Sequence, residues 1–514
     1  MKRGAAFLSI LTACACLLSG CGKKVSGTSA VTTVPPAAAV PYDAPVGDRQ
    51  GEYEMLATLY FPSSDGTQLA AVTEAVHFYT GQTEAQTILE RLLSHEAGED
   101  YQPVPGHGKV ALAGADAVTL SCGVATVNLS VAALALSHTE MFTLFQAMTN
   151  TLCALDGVTG VNILVSGVSP GLDVGGTLPV GCLKQNTLDD PAMLHARLSA
   201  QRAGGASGDT PFRADAALYF PAQAGRGLLC ETRTLLFSSS DAAQMTQTLL
   251  LALSEGAQDL ENVPAMPDLN GELITPPIIG EAQGTGHKTV SLVFKESFND
   301  TLVNLGITRS VMIASLVTTL TTYLPDVSVC RVTIGSEQVS ALVPAGLYEG
   351  AGQMIGFSDG QMRRSDFIGF LLTNAALYFA DDKDTLRASV RALPAGWTTS
   401  PRALFDQLLG GPQYYDTTDG LKSVVPQGIS DADLIGVKQV GDVLMLNFSS
   451  AFYSACESLN AVQARNFIYA IVNTMTERCF VKRVRLYILG EQTAVLGGAI
   501  ALSGDFMRNV RPDR

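Results

Sequence analysis

Apolar positions recur at helical spacing three times along this chain, each time between short strand-like runs. Residues at i, i+3, i+4, i+7 and i+8 form one stripe, which is typical of an amphipathic helix packed on a core. The three stripes are Ala85, Ile88, Leu89, Leu92 and Leu93; Met245, Leu249, Leu250, Ala252 and Leu253; and Leu404, Phe405, Leu408 and Leu409. Thr83 with Gln86, and Ser400 with Pro401, are the predicted helix starts.

A second apolar helix follows each of the first helices, after a pair of strand-like runs. Its buried face is predicted at Phe142, Phe145, Met148 and Leu152; at Ile313, Leu316, Val317 and Leu320; and at Phe467, Ile468, Ile471, Val472 and Met475. The strand before this helix lies at 124–130, 289–294 and 443–449, and the strand after it at 161–167, 330–335 and 484–490. The alternation of apolar and polar residues in these runs predicts strands with one buried face.

An LYF motif opens each set of elements and shows that the sets are repeats. The tyrosines Tyr60, Tyr219 and Tyr378 are equally spaced, 159 residues apart, and equal spacing of matching elements indicates duplication. The predicted fold is α+β, with three tandem β-α-β-β-α-β modules, each placing two helices on one face of a small sheet. The predicted domains are 55–190, 213–360 and 374–514. A repeated aromatic residue on a strand is a candidate core or interface position.

The N-terminus carries a signal for export. Lys2 and Arg3 precede a 14-residue apolar run, Ala5 to Leu18, which is too short to span a bilayer as a helix and is typical of a secretory signal peptide at 1–20. The ending LSGC resembles a bacterial lipobox, which implies cleavage before Cys21 and acylation of its thiol. An ordinary secreted protein is the alternative. Residues 21–54, rich in Ala, Val, Thr, Pro and Gly, are predicted to be a disordered tether.

Composition and charge limit the classes of partner. The net charge is −15, which repels nucleic acid and anionic lipid, so nucleic-acid binding is excluded and membrane attachment must come from the lipid on Cys21. The other cysteines form no C-x-x-C pair and the six histidines form no H-E-x-x-H motif, so neither a metal nor another cofactor is predicted. Disulfides remain open, although buried thiols are the preferred interpretation.

No residue set common to the repeats predicts catalysis. Asn128 and Asn447 begin N-x-S sequons, for which we predict local backbone bonding rather than glycosylation. An acidic cluster at Asp381, Asp382 and Asp384 is interpreted as a solvated turn rather than a calcium site. Arg363, Arg364, Lys482, Arg483 and Arg485 are expected on exposed faces.

The ordered set of motifs resembles the GerMN domain of sporulation and spore-germination lipoproteins. It runs LYF, a leucine-rich helix, V-x-V-N-[LF]-S, a helix ending in N-T-[LM], and a closing strand ending in Gly. The second copy lacks the Asn-x-Ser step, having Leu292-Val293-Phe294-Lys295. The resemblance implies a fold similar to ring-building modules of sporulation and secretion channels. It also implies a structural role at the outer face of the cell membrane in a spore-forming bacterium.

Three functional hypotheses follow. The preferred one is a non-enzymatic envelope lipoprotein that self-associates or binds envelope proteins in sporulation or germination. The alternative is a lipoprotein that binds a solute or peptidoglycan, and a third hypothesis is a wall hydrolase, which would need a nucleophile with a base or a pair of acids.

Overall fold

The structure is a computed structural model that describes most of the chain after the predicted tether. The described residues are 44–47, 52–79, 82–114, 116–170, 181–186, 211–282, 286–414, 417, 419–478 and 481–509. They belong to one compact unit that begins at Ala44. The predicted signal peptide and Cys21 lie outside the described residues.

Module 1 is built from a long hairpin, two helices and a small sheet. Its elements are β1 Glu52–Pro62, β2 Leu69–Tyr79, α1 Glu84–Ser94, β3 Val118–Ser121, β4 Val124–Leu129, a 3₁₀ helix Val131–Ala135, α2 His138–Cys153 and β5 Gly160–Val165. Strands β1 and β2 are antiparallel, and β3-β4-β5 form a sheet in which β4 and β5 are parallel. A capping box of Ser137 and Glu140 starts α2, whereas Thr83 precedes α1 without a side-chain cap bond.

Module 2 repeats this order with additions. Its elements are β6 Phe212–Pro221, β7 Leu228–Phe237, α3 Ala242–Ser254, α4 Leu269–Glu272, β8 Ile278–Glu281, β9 Lys288–Phe294, α5 Phe298–Asn304, α6 Arg309–Tyr323, β10 Val327–Ile334, β11 Glu337–Gln338, β12 Ala341–Leu342 and β13 Ile355–Gly356. The order in its main sheet is β11-β10-β9-β8. The 3₁₀ helices are Gln223–Gly225, Ser358–Gly360 and Arg364–Phe370.

Module 3 follows directly. Its elements are β14 Leu372–Ala380, β15 Leu386–Pro394, α7 Ala395–Thr398, α8 Pro401–Leu409, a 3₁₀ helix Asp431–Asp433, β16 Leu434–Val440, β17 Val443–Phe448, α9 Ser450–Cys456, α10 Ala461–Arg478, β18 Arg483–Ile488, β19 Val495–Leu496, β20 Ile500–Ala501 and β21 Asp505–Met507. Ser400 caps α8 by accepting from the Ala403 N–H, and Pro401 occupies the first turn, as predicted.

The predicted α+β class with repeated modules is confirmed, with one strand more at the start of each module than the sequence predicted and with further short strands after β10 and β18. Each module opens with a hairpin, so its order is ββαββαβ, and the omitted strands are β2, β7 and β15. Strand β15 reads LRASVRALP, and its polar pattern misleads because Ser389 and Arg391 are buried whereas Val390 is exposed. Strand β15 forms by pairing with β14 across the turn between them, and the apolar periodicity of its own residues does not reveal that pairing.

The predicted helix stripes form the cores. All five stripe residues of α1, and Leu404, Phe405 and Leu408 of α8, are buried. Helices α2, α6 and α10 pack against the first hairpin strand of their own modules, β1, β6 and β14. Helix α6 is buried on every face from Ser310 to Tyr323, because the 3₁₀ helix Arg364–Phe370 covers its remaining side.

Two domain boundaries differ from those predicted. Phe367 and Phe370 belong to the core of module 2, so this module extends past residue 360 into the segment left between predicted domains. At the other end, β1 begins at Glu52 and the Gly47 N–H donates to the Ile435 carbonyl at 2.8 Å. Part of the stretch assigned to the tether therefore pairs with module 3, because backbone groups of β16 are available there.

Strands of modules 1 and 3 form one continuous sheet. The order is β2-β1-β16-β17-β18-β21, with β1 parallel to β16 where Glu54 pairs with Val440.

No single helix in the described part of the chain has the length and apolar character of a membrane span. Helices α5 and α6 meet those criteria when they are taken together, but the pair is bent by 107°.

Candidate functional site at the junction of the modules

The three repeated tyrosines occupy equivalent backbone positions but different surroundings. The Tyr60 N–H donates to Thr151 Oγ1 at 3.0 Å, and the Tyr219 N–H donates to Thr319 Oγ1 at 3.1 Å. Each threonine is the middle residue of its motif, which is N-T-L in module 1 and T-T-L in module 2. The motif therefore ties the second helix of a module to the hairpin that opens it. Tyr60 is half-buried, whereas Tyr219 is 1% exposed and Tyr378 is 5% exposed.

The Tyr219 side chain lies between modules 1 and 2. Its hydroxyl is 3.4 Å from Thr126 Oγ1 on β4, and the Arg364 guanidinium lies 5.4 Å from its ring centroid, within the range of a cation–π contact. Burial raises the pKa of Tyr219 to about 12, against the opposing effect of Arg364. Tyr378 instead accepts a hydrogen bond from Arg508 at 2.7 Å, within module 3.

Arg364 joins two modules through its own hydrogen bonds. It donates to Thr322 Oγ1 on α6 at 3.0 Å and to Thr119 Oγ1 on β3 at 2.8 Å. The residue is 8% exposed, so the expectation of an exposed basic residue is wrong for this position. A buried guanidinium needs hydrogen-bond partners and an aromatic face, and the junction supplies both.

A second contact joins modules 1 and 3. Ser121 at the end of β3 donates to the Leu372 carbonyl at 2.5 Å, and the Cys122 N–H donates to Thr373 Oγ1 at 3.0 Å. Ser121 and Thr373 are each 2% exposed. The start of β14 is therefore held against module 1, and all three modules meet along β3 and β4.

The two sequon asparagines tie parallel strands together. Asn128 Oδ1 accepts from the Gly167 N–H at 2.8 Å, and Asn447 Oδ1 accepts from the Gly490 N–H at 3.0 Å. These bonds span 39 and 43 positions, so the prediction of local bonding is wrong for both asparagines, which lie within β4 and β17. Ser449 does bond locally, because it accepts from the Phe452 N–H at 3.2 Å. In module 2 the Gly335 N–H donates to the Phe294 carbonyl at 2.9 Å, which matches the Ser166–Leu129 and Leu489–Phe448 backbone bonds of modules 1 and 3 rather than their asparagine bonds.

The acidic cluster and the basic residues of module 3 are held by ordinary ion pairs and turns. Asp381 accepts from the backbone N–H groups of Lys383 and Thr385 and from Arg387 Nε at 2.8 Å, and these bonds lower its pKa to about 2. Arg483 and Arg485 both pair with Asp505. Over the described ranges, no group of three His, Cys, Asp or Glu side chains is arranged to hold a metal ion.

The four buried thiols of the described residues are poor nucleophiles. Cys182, Cys230, Cys330 and Cys456 are buried and free, and burial raises the pKa of Cys182 and of Cys330 to about 12. A neutral thiol is unreactive.

The sequence predicted buried thiols, but it did not indicate the contacts of Arg364 between modules 1 and 2, because Thr119 and Arg364 are 245 positions apart.

The fold and this junction define a protein of repeated α+β modules that pack on one another through polar and apolar side chains. Residues 58–170 and 376–494 match the Germane family, described as "Sporulation and spore germination". The chain therefore carries two Germane domains, which correspond to modules 1 and 3. Module 2 has a similar element order outside these matches, and its assignment to the family stays a prediction.

Solved structures give weaker likenesses. The tandem GerMN domains of the sporulation protein GerM from Bacillus subtilis are 17% identical over 60% of this chain and 99% of that chain, with a TM-score of 0.22. A candidate lipoprotein from Clostridium perfringens is 18% identical over 28% and 91%, with a TM-score of 0.19. The first GerMN domain of GerM is 17% identical over 26% and 96%, with a TM-score of 0.20. The search of curated proteins gave no match. Scores this low support no argument about function.

Proposed function

We propose that this chain is a non-enzymatic lipoprotein that assembles with envelope proteins, or with copies of itself, during sporulation or spore germination. In this proposal Cys21 carries the lipid and residues 22–43 connect it to the folded unit at the extracytoplasmic face of the cell membrane. Two or three acyl chains give stable anchoring, because each buried methylene contributes about 0.8 kcal/mol.

The observation that carries the assembly role is the sheet shared by modules 1 and 3. Strand β1 lies parallel to β16, and the Asn447 amide donates to the Pro45 carbonyl at 2.9 Å beside it. A strand from one Germane domain thus extends the sheet of another. Strand addition supplies affinity through backbone hydrogen bonds, so domains of this kind have a means of joining that needs no catalytic group.

Some of the side chains that could have supported the hydrolase hypothesis are engaged in other contacts or held neutral. Asp381 forms a turn and an ion pair, and the four buried thiols are held neutral by burial. These contacts favour a binding role for the described surfaces.

Membrane attachment and assembly are tested separately. We expect the full-length chain to fractionate with membranes and the Cys21→Ala variant to become soluble. The control Cys153→Ala, which changes a cysteine of α2, should behave like the unaltered protein.

Cross-linking in sporulating cells is expected to give a product with an identified envelope protein or with a second copy of the chain. The same product should form with purified components. A chain that stays monomeric at every concentration and cross-links to nothing would overturn the assembly role. Clearing of purified peptidoglycan in a zymogram would overturn the non-enzymatic assignment.

A further inference from the structure

A cavity of about 480 Å³ lies where module 1, the end of module 2 and the start of module 3 meet. Its walls come from the start of α1, from β3, from the segment 365–371 and from α7. The apolar wall residues are Ala85, Val118, Leu120, Leu155, Val158, Ile368 and Leu371. This volume lies within the range of about 300–1,000 Å³ that is usual for small-molecule sites.

The charge of this cavity has one sign. Glu84, Asp116 and Glu349 line it, and of the described residues in its walls none is Lys, Arg or His. A neighbouring cavity of about 340 Å³ shares Asp116 with the first and is lined in addition by His287, Arg363 and Arg364. The first cavity therefore attracts a cation, and its apolar walls favour an organic one over a hydrated metal ion.

Glu84 is a buried carboxyl group in this cavity without a balancing charge. It is 7% exposed, and burial raises its pKa to about 7, opposed only by a bond from its own backbone N–H. Across the described residues it forms no ion pair. A buried ionisable group that costs stability in the free protein is a candidate binding group.

An aromatic side chain of the cavity lining lies beside one of these acids. Trp397 Nε1 donates to Glu349 Oε1 at 2.9 Å, which holds the indole in place. The Tyr348 ring packs edge-on at 5.3 Å between centroids. A fixed indole beside carboxylates is a surface suited to ammonium groups, since the face of Trp attracts cations most strongly of the aromatic side chains.

We propose that this cavity binds an organic ammonium ion with an apolar body, held by Glu84, Glu349 and the face of Trp397. The inference goes beyond the assembly role and does not depend on it, because it concerns a small molecule in a cavity between the modules rather than a protein partner.

Trp397 is the single tryptophan of the chain, so its fluorescence reports on this cavity alone. We expect benzyltrimethylammonium chloride to change the emission of the full-length protein in detergent with a saturable curve. Its neutral carbon analogue, neopentylbenzene, and sodium chloride at equal ionic strength are expected to cause no such change. A linear, non-saturable response, or equal binding of the neutral analogue, would overturn the proposal.

Matched variants locate the binding groups. Calorimetric titration of Glu84→Gln and of Glu349→Gln is expected to show affinity for benzyltrimethylammonium reduced at least tenfold, with circular dichroism showing retained structure. Glu99→Gln, which changes an exposed acid of module 1, should leave the affinity unchanged. Wild-type affinity in both cavity variants would refute the assignment.

The pH dependence gives a further readout. Asp116 and Glu349 are the other acids of the cavity lining, and the Arg364 guanidinium donates to the lining residue Thr119 at 2.8 Å. Affinity should rise severalfold between pH 6 and pH 8 as Glu84 ionises, and Glu84→Gln should remove most of that rise. A flat profile in the unaltered protein would contradict the part assigned to Glu84.

Discussion

Asn150 binds both backbone groups of Asn186. Its Nδ2 donates to the Asn186 carbonyl at 2.7 Å and its Oδ1 accepts from the Asn186 N–H at 2.9 Å. In module 3 Asn473 forms the same two bonds with Asn509, at 2.8 and 2.9 Å. The asparagine of the N-T-[LM] motif therefore fastens a chain segment 36 residues downstream in both Germane domains.

Removing this side chain should destabilise its module. Asn150 is fully buried. The substitution Asn150→Ala removes its hydrogen bonds to the N–H and the carbonyl of residue 186. We therefore expect a loss of about 2 kcal/mol in the free energy of unfolding. Urea denaturation measures it. Thr318→Val is the matched control in module 2, where the buried hydroxyl has no hydrogen-bond partner among the described residues, and it should be neutral or slightly stabilising. Equal losses in both variants would contradict this role.

The Asn447 side chain should control the segment that leads into the fold. It donates to the Pro45 carbonyl and accepts from the Gly490 N–H. In Asn447→Ala, we expect amide hydrogen exchange at Gly47 and Gly490 to become at least tenfold faster, which corresponds to about 1.4 kcal/mol. Asn128→Ala is the control, because it bonds Ala113 and Gly167 in module 1. Unchanged exchange at Gly47 would show that the β16 contact suffices.

Arg364 should couple modules 1 and 2. Arg364→Ala removes two charge-assisted hydrogen bonds and the contact with Tyr219, and the expected loss in the free energy of unfolding is about 3 kcal/mol. A double-mutant cycle with Thr119→Val should give a coupling energy of about 1 kcal/mol. Arg363→Ala, which loses a 3.2 Å bond to Gln361, should cost less. Additive single effects would mean that the Thr119 bond contributes nothing across the junction.

The buried Glu84 should make stability depend on pH in the absence of ligand. Its pKa is about 7 in the folded protein and 4.5 in the reference state, so between these values the folded state keeps a proton that the unfolded chain has lost. Stability therefore falls as pH rises through this window, by about 3 kcal/mol in total. Glu84→Gln should abolish that fall, whereas Glu99→Gln should follow the wild-type curve. Identical curves for wild type and Glu84→Gln would contradict the raised pKa.

Part of the junction was visible in the sequence and part was not. The repeated LYF and N-T-[LM] motifs pointed to Tyr219 and Thr319, whose backbone bond fixes the helix on the hairpin. The roles of Thr119, Arg364 and Glu84 had no sequence signal. Arg364 was predicted to be exposed because basic side chains mostly lie on the surface. Only the packing of segment 364–370 against α6 buries it.

The sequence alone determined the two main helices and most strands of each module, since each depends on residues within a few turns of one another. The hairpin partners β2, β7 and β15 depended on pairing across a turn. Tertiary structure alone decided which modules meet: Asn447 lies 402 positions from Pro45, and Ser121 lies 251 from Leu372. Periodicity specifies which face of an element is buried, but the atoms that cover that face are chosen by the packing of the whole chain.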